Sequence, residues 1–265
     1  MATKSTAVTK AKPASTAVAT LDYSAEVAAI AKRLQNAGTA DRIKTSNAKV
    51  FILPDKSEHE ELDVIVVDFI AFNRYYPGVF DEDNIIPPDC FALGLEPTSL
   101  TPSANSPDKQ CESCAGCWAN QFKSAANGKG KACGNTRLLA VLLPPTGGLG
   151  VNDSLEDLPL YTLSVSPTAI TSFDTHVGKV ASSFKKPVRA VITRLSFAQD
   201  SKWPSIRFSV VAPAGRDLEV YAQGRLQEVR DRLATEPDVS AIKAANDEKI
   251  ASRKPQQKKA VGGRR

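Results

Sequence analysis

The sequence predicts an α+β protein that is mainly β: a small antiparallel barrel, interrupted by one long loop and flanked by helices. Three observations carry this. Several short segments are apolar and rich in β-branched or aromatic residues, with connections too short for the crossovers of a parallel sheet. One segment has helical spacing behind a Ser-Pro start. Residues 77–136 lose all periodicity while collecting every one of the five cysteines.

Taken in order, LDYSAEVAAIAKRLQNAG (21–38) spaces Val27, Ile30, Ala31 and Leu34 as a helix before a glycine stop. AKVFILPD (48–55) and LDVIVVDFIAFNRYY (62–76) read as strands, joined by the charged hairpin loop DKSEHEEL. Pro, Gly, Asn, Ser and Lys then dominate 77–136, a run too long to be structureless inside a compact body unless something orders it. TRLLAVLLP (136–144) is an apolar strand, PTGGLGVNDS a turn region, and LPLYTLSV (158–165) another strand. In 166–184, Ser166 as N-cap and Pro167 at the first position open a helix with Ile170, Phe173, Val177, Val180 and Phe184 on its apolar face. RAVITRLSF (189–197) and SIRFSVVAP (205–213) alternate as strands, and a last helix is expected at about 217–234. No internal repeat is visible. An OB-like barrel with an insertion between its strands accommodates this order.

The charge is unevenly spread. The chain has 34 Lys and Arg against 29 Asp and Glu. Residues 1–20 hold three lysines and no acid, and residues 249–265 hold seven basic residues and no acid, so the remainder is net −5. The expected organisation is a disordered basic tail (1–20), an OB-like body (21–235) with its insertion at 77–136, and a weakly helical to disordered basic tail (236–265). Such tails either solubilise the chain or attract phosphate. The whole chain is 42% hydrophobic, enough for a core, and no leader or apolar run near 18 residues is expected. A soluble intracellular protein with no membrane partner is expected, and its cysteines then sit where metal binding outcompetes disulfide formation.

QCESCAGCWANQF places Cys111, Cys114 and Cys117 in two overlapping CxxC turns; Cys90 lies in PPDCFALG and Cys133 in KGKACGNTR. A CxxC turn points two thiolates at one ion, and four of these five would complete a tetrahedral zinc site that orders the loop. An iron–sulfur cluster is the rival, because C-x2-C-x2-C with a remote fourth cysteine is its spacing. Polar, lysine-rich surroundings and the lack of a Cys-Pro pair favour zinc. Free buried thiols are the third reading. His59 and His176 are outside candidates as ligands and read as ordinary surface residues.

PPDCFALG, QCESCAGCWANQFKS, GKGKACGNTRLLAVLLP, YTLSVSPTAITSF and VITRLSF together resemble a family of tailed-phage and prophage proteins labelled single-stranded DNA-binding or replication-accessory proteins. The resemblance covers about residues 48–210. The family's pattern, a glutamine before CxxC and an Asn-Gln-aromatic stretch after it, matches Gln110, Cys114, Cys117, Asn120, Gln121 and Phe122. Its Pro-Pro-X-Cys matches Cys90, and its Gly-Lys-Ala-Cys matches Cys133. The resemblance implies structural zinc held by Cys90, Cys114, Cys117 and Cys133, with Cys111 supernumerary. It also implies non-sequence-specific binding of single-stranded DNA during replication or recombination in an infected bacterial host's cytoplasm, alongside phage replication or recombination proteins. This chain departs at Trp118, where proline is usual, and at FALGLE, where a polar Asp-Gly turn is usual. It also lacks the acidic C-terminal tail that many such proteins carry.

Single strands are held by basic grooves with aromatic platforms. FNRYY supplies Arg74, Tyr75 and Tyr76 where an apolar strand ends. Lys123, Lys129, Lys131 and Arg137 surround the cysteines, and Lys185, Lys186, Arg189 and Arg194 cluster around a later strand. Trp118 and Trp203 are further stacking candidates; each of these aromatics equally suits core packing. No enzyme signature is present: NGKGKA lacks phosphate-loop spacing, HExxH and GxSxG are missing, and Asp81, Glu82 and Asp83 read as a solvated turn. A binding protein rather than an enzyme is expected. The other readings are a zinc-knuckle transcription or replication cofactor working through protein contacts, and a packaging protein using its basic tails.

Overall fold

The computed structural model describes residues 41–77, 86–144, 155 and 158–240. The helix expected at 21–38, the N-terminal tail and residues 241–265 lie outside this set. The described chain is mainly β with some helices.

Nine strands form one sheet: β1 (Arg42–Thr45), β2 (Phe51–Ile52), β3 (Glu58–His59), β4 (Leu62–Tyr75), β5 (Cys90–Gly94), β6 (Cys133–Leu142), β7 (Leu160–Val165), β8 (Val191–Phe197) and β9 (Ile206–Pro213). Their order is β3-β2-β1-β7-β6-β4-β8-β9, with β5 also paired to β4. All pairs are antiparallel except β1 with β7. Among the described residues, three α-helices accompany them: α1 (Ile170–Phe184), α2 (Arg216–Gly224) and α3 (Leu226–Leu233).

β4 is the spine. Its 14 residues run beside β6 along most of their length, while its other edge pairs first with β8 and, at its far end, with β5. Side chains alternate across a strand. Thus Leu62, Val64 and Val66 enter one core with Leu139 and Val141 of β6, whereas Ile65 and Val67 enter a second with Ala140 and Leu142. A bulge between Val66 and Asp68 shifts the parity, so Phe69 packs on the first core and Ile70 on the second. Phe173 of α1 fills the first core and meets Phe69 and Phe208 edge-on. Val229 and Leu233 of α3 cover the second.

The first core forces the sheet to curl. Phe51 on β2 stacks on Phe197 of β8 at 4.4 Å between ring centres, although four strands separate these two in the sheet order. Beside them, the Lys49 ammonium donates to the carbonyls of Ala198 and Gln199 at 3.0 and 3.1 Å. The two wings therefore meet through side chains, giving a barrel-like α+β body.

Several expectations change. β1 is an unforeseen strand, since RIKT is short and ends in two exposed polar residues. The 48–55 strand shrinks to Phe51–Ile52, and the hairpin loop after it contains β3. The long loop contains β5, whose ladder partners on β4 are remote in sequence. The final helix is two: it breaks between Gly224 and Leu226, where glycine is a poor helix former and Arg225 is instead held by Tyr221 and Glu228. The body also continues past 235. Glu236 accepts hydrogen bonds from Ser103 Oγ (2.5 Å) and Asn105 Nδ2 (2.6 Å), and Val239 packs on Phe72 and Phe91. Among the described residues, no helix is long and apolar enough to cross a membrane.

Candidate metal centre and nucleic-acid interface

The far end of β4 lies between β5 and β6, and its register is the foundation of the site. Tyr75 is paired with Cys90 on one side and with Cys133 on the other. Strand alternation then puts Asn73 and Tyr75 on the face carrying Cys90, Ala92 and Cys133. Arg74 goes to the other face, its guanidinium 4.7 Å from the centre of the Phe72 ring.

The loop between β5 and β6 folds over the cysteine face. The Cys114 amide donates to the Leu100 carbonyl at 3.0 Å, and Cys114 packs with Ala71, Ala92 and Leu100. A 3-10 turn, Trp118–Asn120, follows Cys117. The Asn120 side-chain amide donates to the Cys114 carbonyl (2.7 Å) and that of Gln121 to the Cys117 carbonyl (3.3 Å). This explains an Asn-Gln pair just after CxxC: each amide holds the backbone of one cysteine. Ser124 Oγ donates to backbone carbonyls of the turn and accepts from the Ala132 amide, tying the loop's return to its start.

All five cysteines line one cavity of about 10 Å³, room for a single water-sized body. All five are free thiols. Among the described residues, no three Cys, His, Asp or Glu side chains converge into a finished ligand group. The thiols are gathered around one point without being drawn onto it. As a donor set they nevertheless fit tetrahedral thiolate coordination, which needs four sulfurs around a single small ion. Burial pushes the Cys133 thiol up to about 12, helped by Cys114, Cys117 and Cys90, with the Arg74 backbone opposing. Burial also raises Cys114, against a hydrogen bond from Asn73. Cys111, half-buried, is pushed up to about 12 by desolvation and by its hydrogen bond to Cys117.

The two histidines stay away from this cavity. His59 bonds to Ser57. His176 is not a surface residue: α1 turns it into the core, 5% exposed, where its Nε2 lies 3.0 Å from Thr193 Oγ1. Residues 173, 176 and 180 share a helix face, and apolar spacing alone passes over the histidine.

The expected nucleic-acid residues separate into groups. Lys123, Lys129 and Lys131 are exposed on the cysteine loop, and Lys131 reaches Asn120 at 3.0 Å. Trp118 (50% exposed) and Phe122 (75%) stand among them. Tyr75 is half-buried, its ring edge-on to Trp118 at 5.6 Å, whereas Tyr76 is 41% exposed. Elsewhere, Arg137 is mostly buried and paired with Asp174 at 3.1 Å, and Lys186 is paired with Glu219 at 2.7 Å. Arg194 grips Asp63 with two hydrogen bonds of 2.8 and 2.9 Å. Lys185 ends α1 in the left-handed conformation, and Arg189 is half-buried in a 3-10 turn. Trp203 is 69% exposed on the β8–β9 hairpin. Sequence reasoning did not single out Phe122 as a stacking surface or Asn73 as a cysteine contact. A lone amide in the apolar strand LDVIVVDFIAFNRYY was the available signal for Asn73.

Comparison with protein families, with curated proteins and with solved structures finds no match to this chain.

Proposed function

We propose that the chain is a non-sequence-specific single-stranded DNA-binding protein of phage type, acting in replication or recombination, with an OB-like barrel and a structural zinc knuckle. The observation that carries this reading is the exposure of Trp118 and Phe122 on a loop that also bears Lys123, Lys129 and Lys131. Flat rings in water cost free energy unless something covers them, and bases are flat rings on a phosphate chain. Lysines nearby follow the phosphates without reading sequence. The OB-like assignment is supported by the curl that brings Phe51 onto Phe197. In this reading Cys90, Cys114, Cys117 and Cys133 hold the zinc, and Cys111 stands beside Cys117. Bound zinc would supply the folding energy that a polar loop lacks.

The test is a fluorescence titration with poly-dT, duplex DNA and RNA, using Trp203→Phe so that Trp118 is the sole tryptophan. Salt-sensitive quenching by poly-dT well below the concentration needed for duplex supports the proposal. Equal response to duplex, or none to any nucleic acid, overturns it. The second outcome favours a knuckle that uses Trp118 and Phe122 as apolar anchors for a protein partner.

A further inference from the structure

Asn73 occupies an unusual place: a polar side chain, 6% exposed, within the most apolar strand of the sheet. It lies directly opposite Asn135 in the β4–β6 ladder and opposite Ala92 in the β4–β5 ladder. Asn135 Nδ2 donates to Asn73 Oδ1 at 2.8 Å. That bond fixes which way the Asn73 amide points, because an amide has one acceptor end and one donor end. With Oδ1 occupied by Asn135, the NH2 group is the end of Asn73 left to face the cysteine cavity that Asn73 lines, and Cys114 packs on Ala92, the residue directly opposite Asn73.

We infer that Asn73, oriented by Asn135, is a positioning residue for the metal centre: its NH2 group donates into the cavity and aims Cys114 there. This rests on the zinc reading above and deepens it. The physical reason is that an N–H donor stabilises sulfur as it gains negative charge, whereas a carboxylate in the same place repels it. Of the thiols around the cavity, Cys114 sits on the loop and packs on Ala71 and Ala92, the neighbours of Asn73 on β4 and β5. A loop ligand needs such an anchor more than Cys90 or Cys133, whose backbones the sheet already fixes. Hydrogen-bonding partners of metal ligands typically change metal affinity by about 10- to 100-fold when lost.

Two substitutions test this in the full chain. Asn73→Asp keeps the shape and replaces the donor by an acceptor. Asn135→Asp leaves Asn73 intact but presents it with a carboxylate, which takes the Asn73 NH2 for itself and turns Oδ1 toward Cys114. Both variants should lose zinc to a competing chelator at about 10- to 100-fold lower chelator activity than the parent. Cobalt substituted for zinc should show a shifted thiolate-to-metal absorption band in both. If either variant fails to fold, the other decides. Parent-like zinc affinity and cobalt spectra in a folded variant overturn the role of Asn73 alone. Parent protein that takes up neither zinc nor cobalt overturns the metal reading itself, and this inference with it.

Discussion

Arg74 and Tyr75 are consecutive in the chain and leave β4 in opposite directions. The Arg74 guanidinium sits over the Phe72 ring, while the Tyr75 ring meets Trp118 on the cysteine face. They therefore cannot form one patch with Tyr76, as their adjacency in sequence suggests. Tyr75 backs the Trp118 ring, whereas Trp118, Phe122 and Tyr76 keep exposed ring surface.

Phe122→Ala should weaken poly-dT binding by about one order of magnitude, the usual worth of one stacked base, while the melting temperature hardly moves. Tyr75→Ala should behave differently, loosening the knuckle and lowering thermal stability, because its ring is half-buried against Trp118. Gel shifts and melting curves on both variants check this. Normal binding by Phe122→Ala would show that the strand runs elsewhere.

One tightly bound zinc per chain is expected by elemental analysis. Serine at Cys90, Cys114, Cys117 or Cys133 should abolish it, and serine at Cys111 should not. Since burial raises the Cys114 and Cys133 thiols, protons compete strongly for the sulfurs, and retention of metal should fall as pH falls. Loss of zinc from Cys111→Ser, or iron with a visible absorption band, would reassign the ligands or the metal.

Replacing Lys123, Lys129 and Lys131 together by alanine should reduce the salt slope for single strands by about 2, with a fall in affinity at low salt. Arg194→Ala should leave that slope alone, because Arg194 is engaged with Asp63 and Glu61. Deleting residues 249–265, which carry seven basic residues, should flatten it further. Affinities measured across a series of salt concentrations give all three slopes; an unchanged slope in the triple lysine variant removes the knuckle from the binding path.

Burial, reinforced by the nearby Lys179 charge, lowers the His176 pKa below its ordinary 6.5. The folded state thus favours the neutral ring, and the unfolded chain takes up the proton first as pH falls. The contribution of His176 to stability is complete above about pH 6.5 and is lost as pH falls through the lowered folded value. Denaturant midpoints at pH 7.5 and pH 5 should differ, and His176→Gln should shrink that difference. An identical difference in the variant assigns the acid sensitivity to other groups.

The parts legible in the sequence are those where a local pattern meets its own burial requirement. LDVIVVDFIAFNRYY is continuously apolar because β4 is covered on both faces, and VITRLSF alternates because β8 is covered on one. What escaped reading depends on partners distant in the chain. CFALG becomes a strand because β4 offers it an edge, and RIKT because β7 does. The gathering of five cysteines was visible as composition, but the two amides that hold the CxxC backbone, and the one from β4 that lines the cysteine cavity, were visible only once the loop was folded. Similarly, Arg137, Lys186 and Arg194 look like free cations in the sequence; their acids come from other elements.

The pairing of Tyr75 with both Cys90 and Cys133 lets strand register alone place two of the five sulfurs. The loop leaves the sheet at Gly94, opposite Ala71, and rejoins it at Cys133, opposite Tyr75, so its two ends are fixed on either side of β4 by the ladder and not by its own contents. Cys114 and Cys117, in contrast, are placed only by the folded loop, through the bonds that Leu100, Asn120 and Gln121 make to their backbones. Stripping the site should accordingly yield a protein molten in one lobe, with hydrogen exchange rising across 100–132 while the amides of β6 and β7 stay protected.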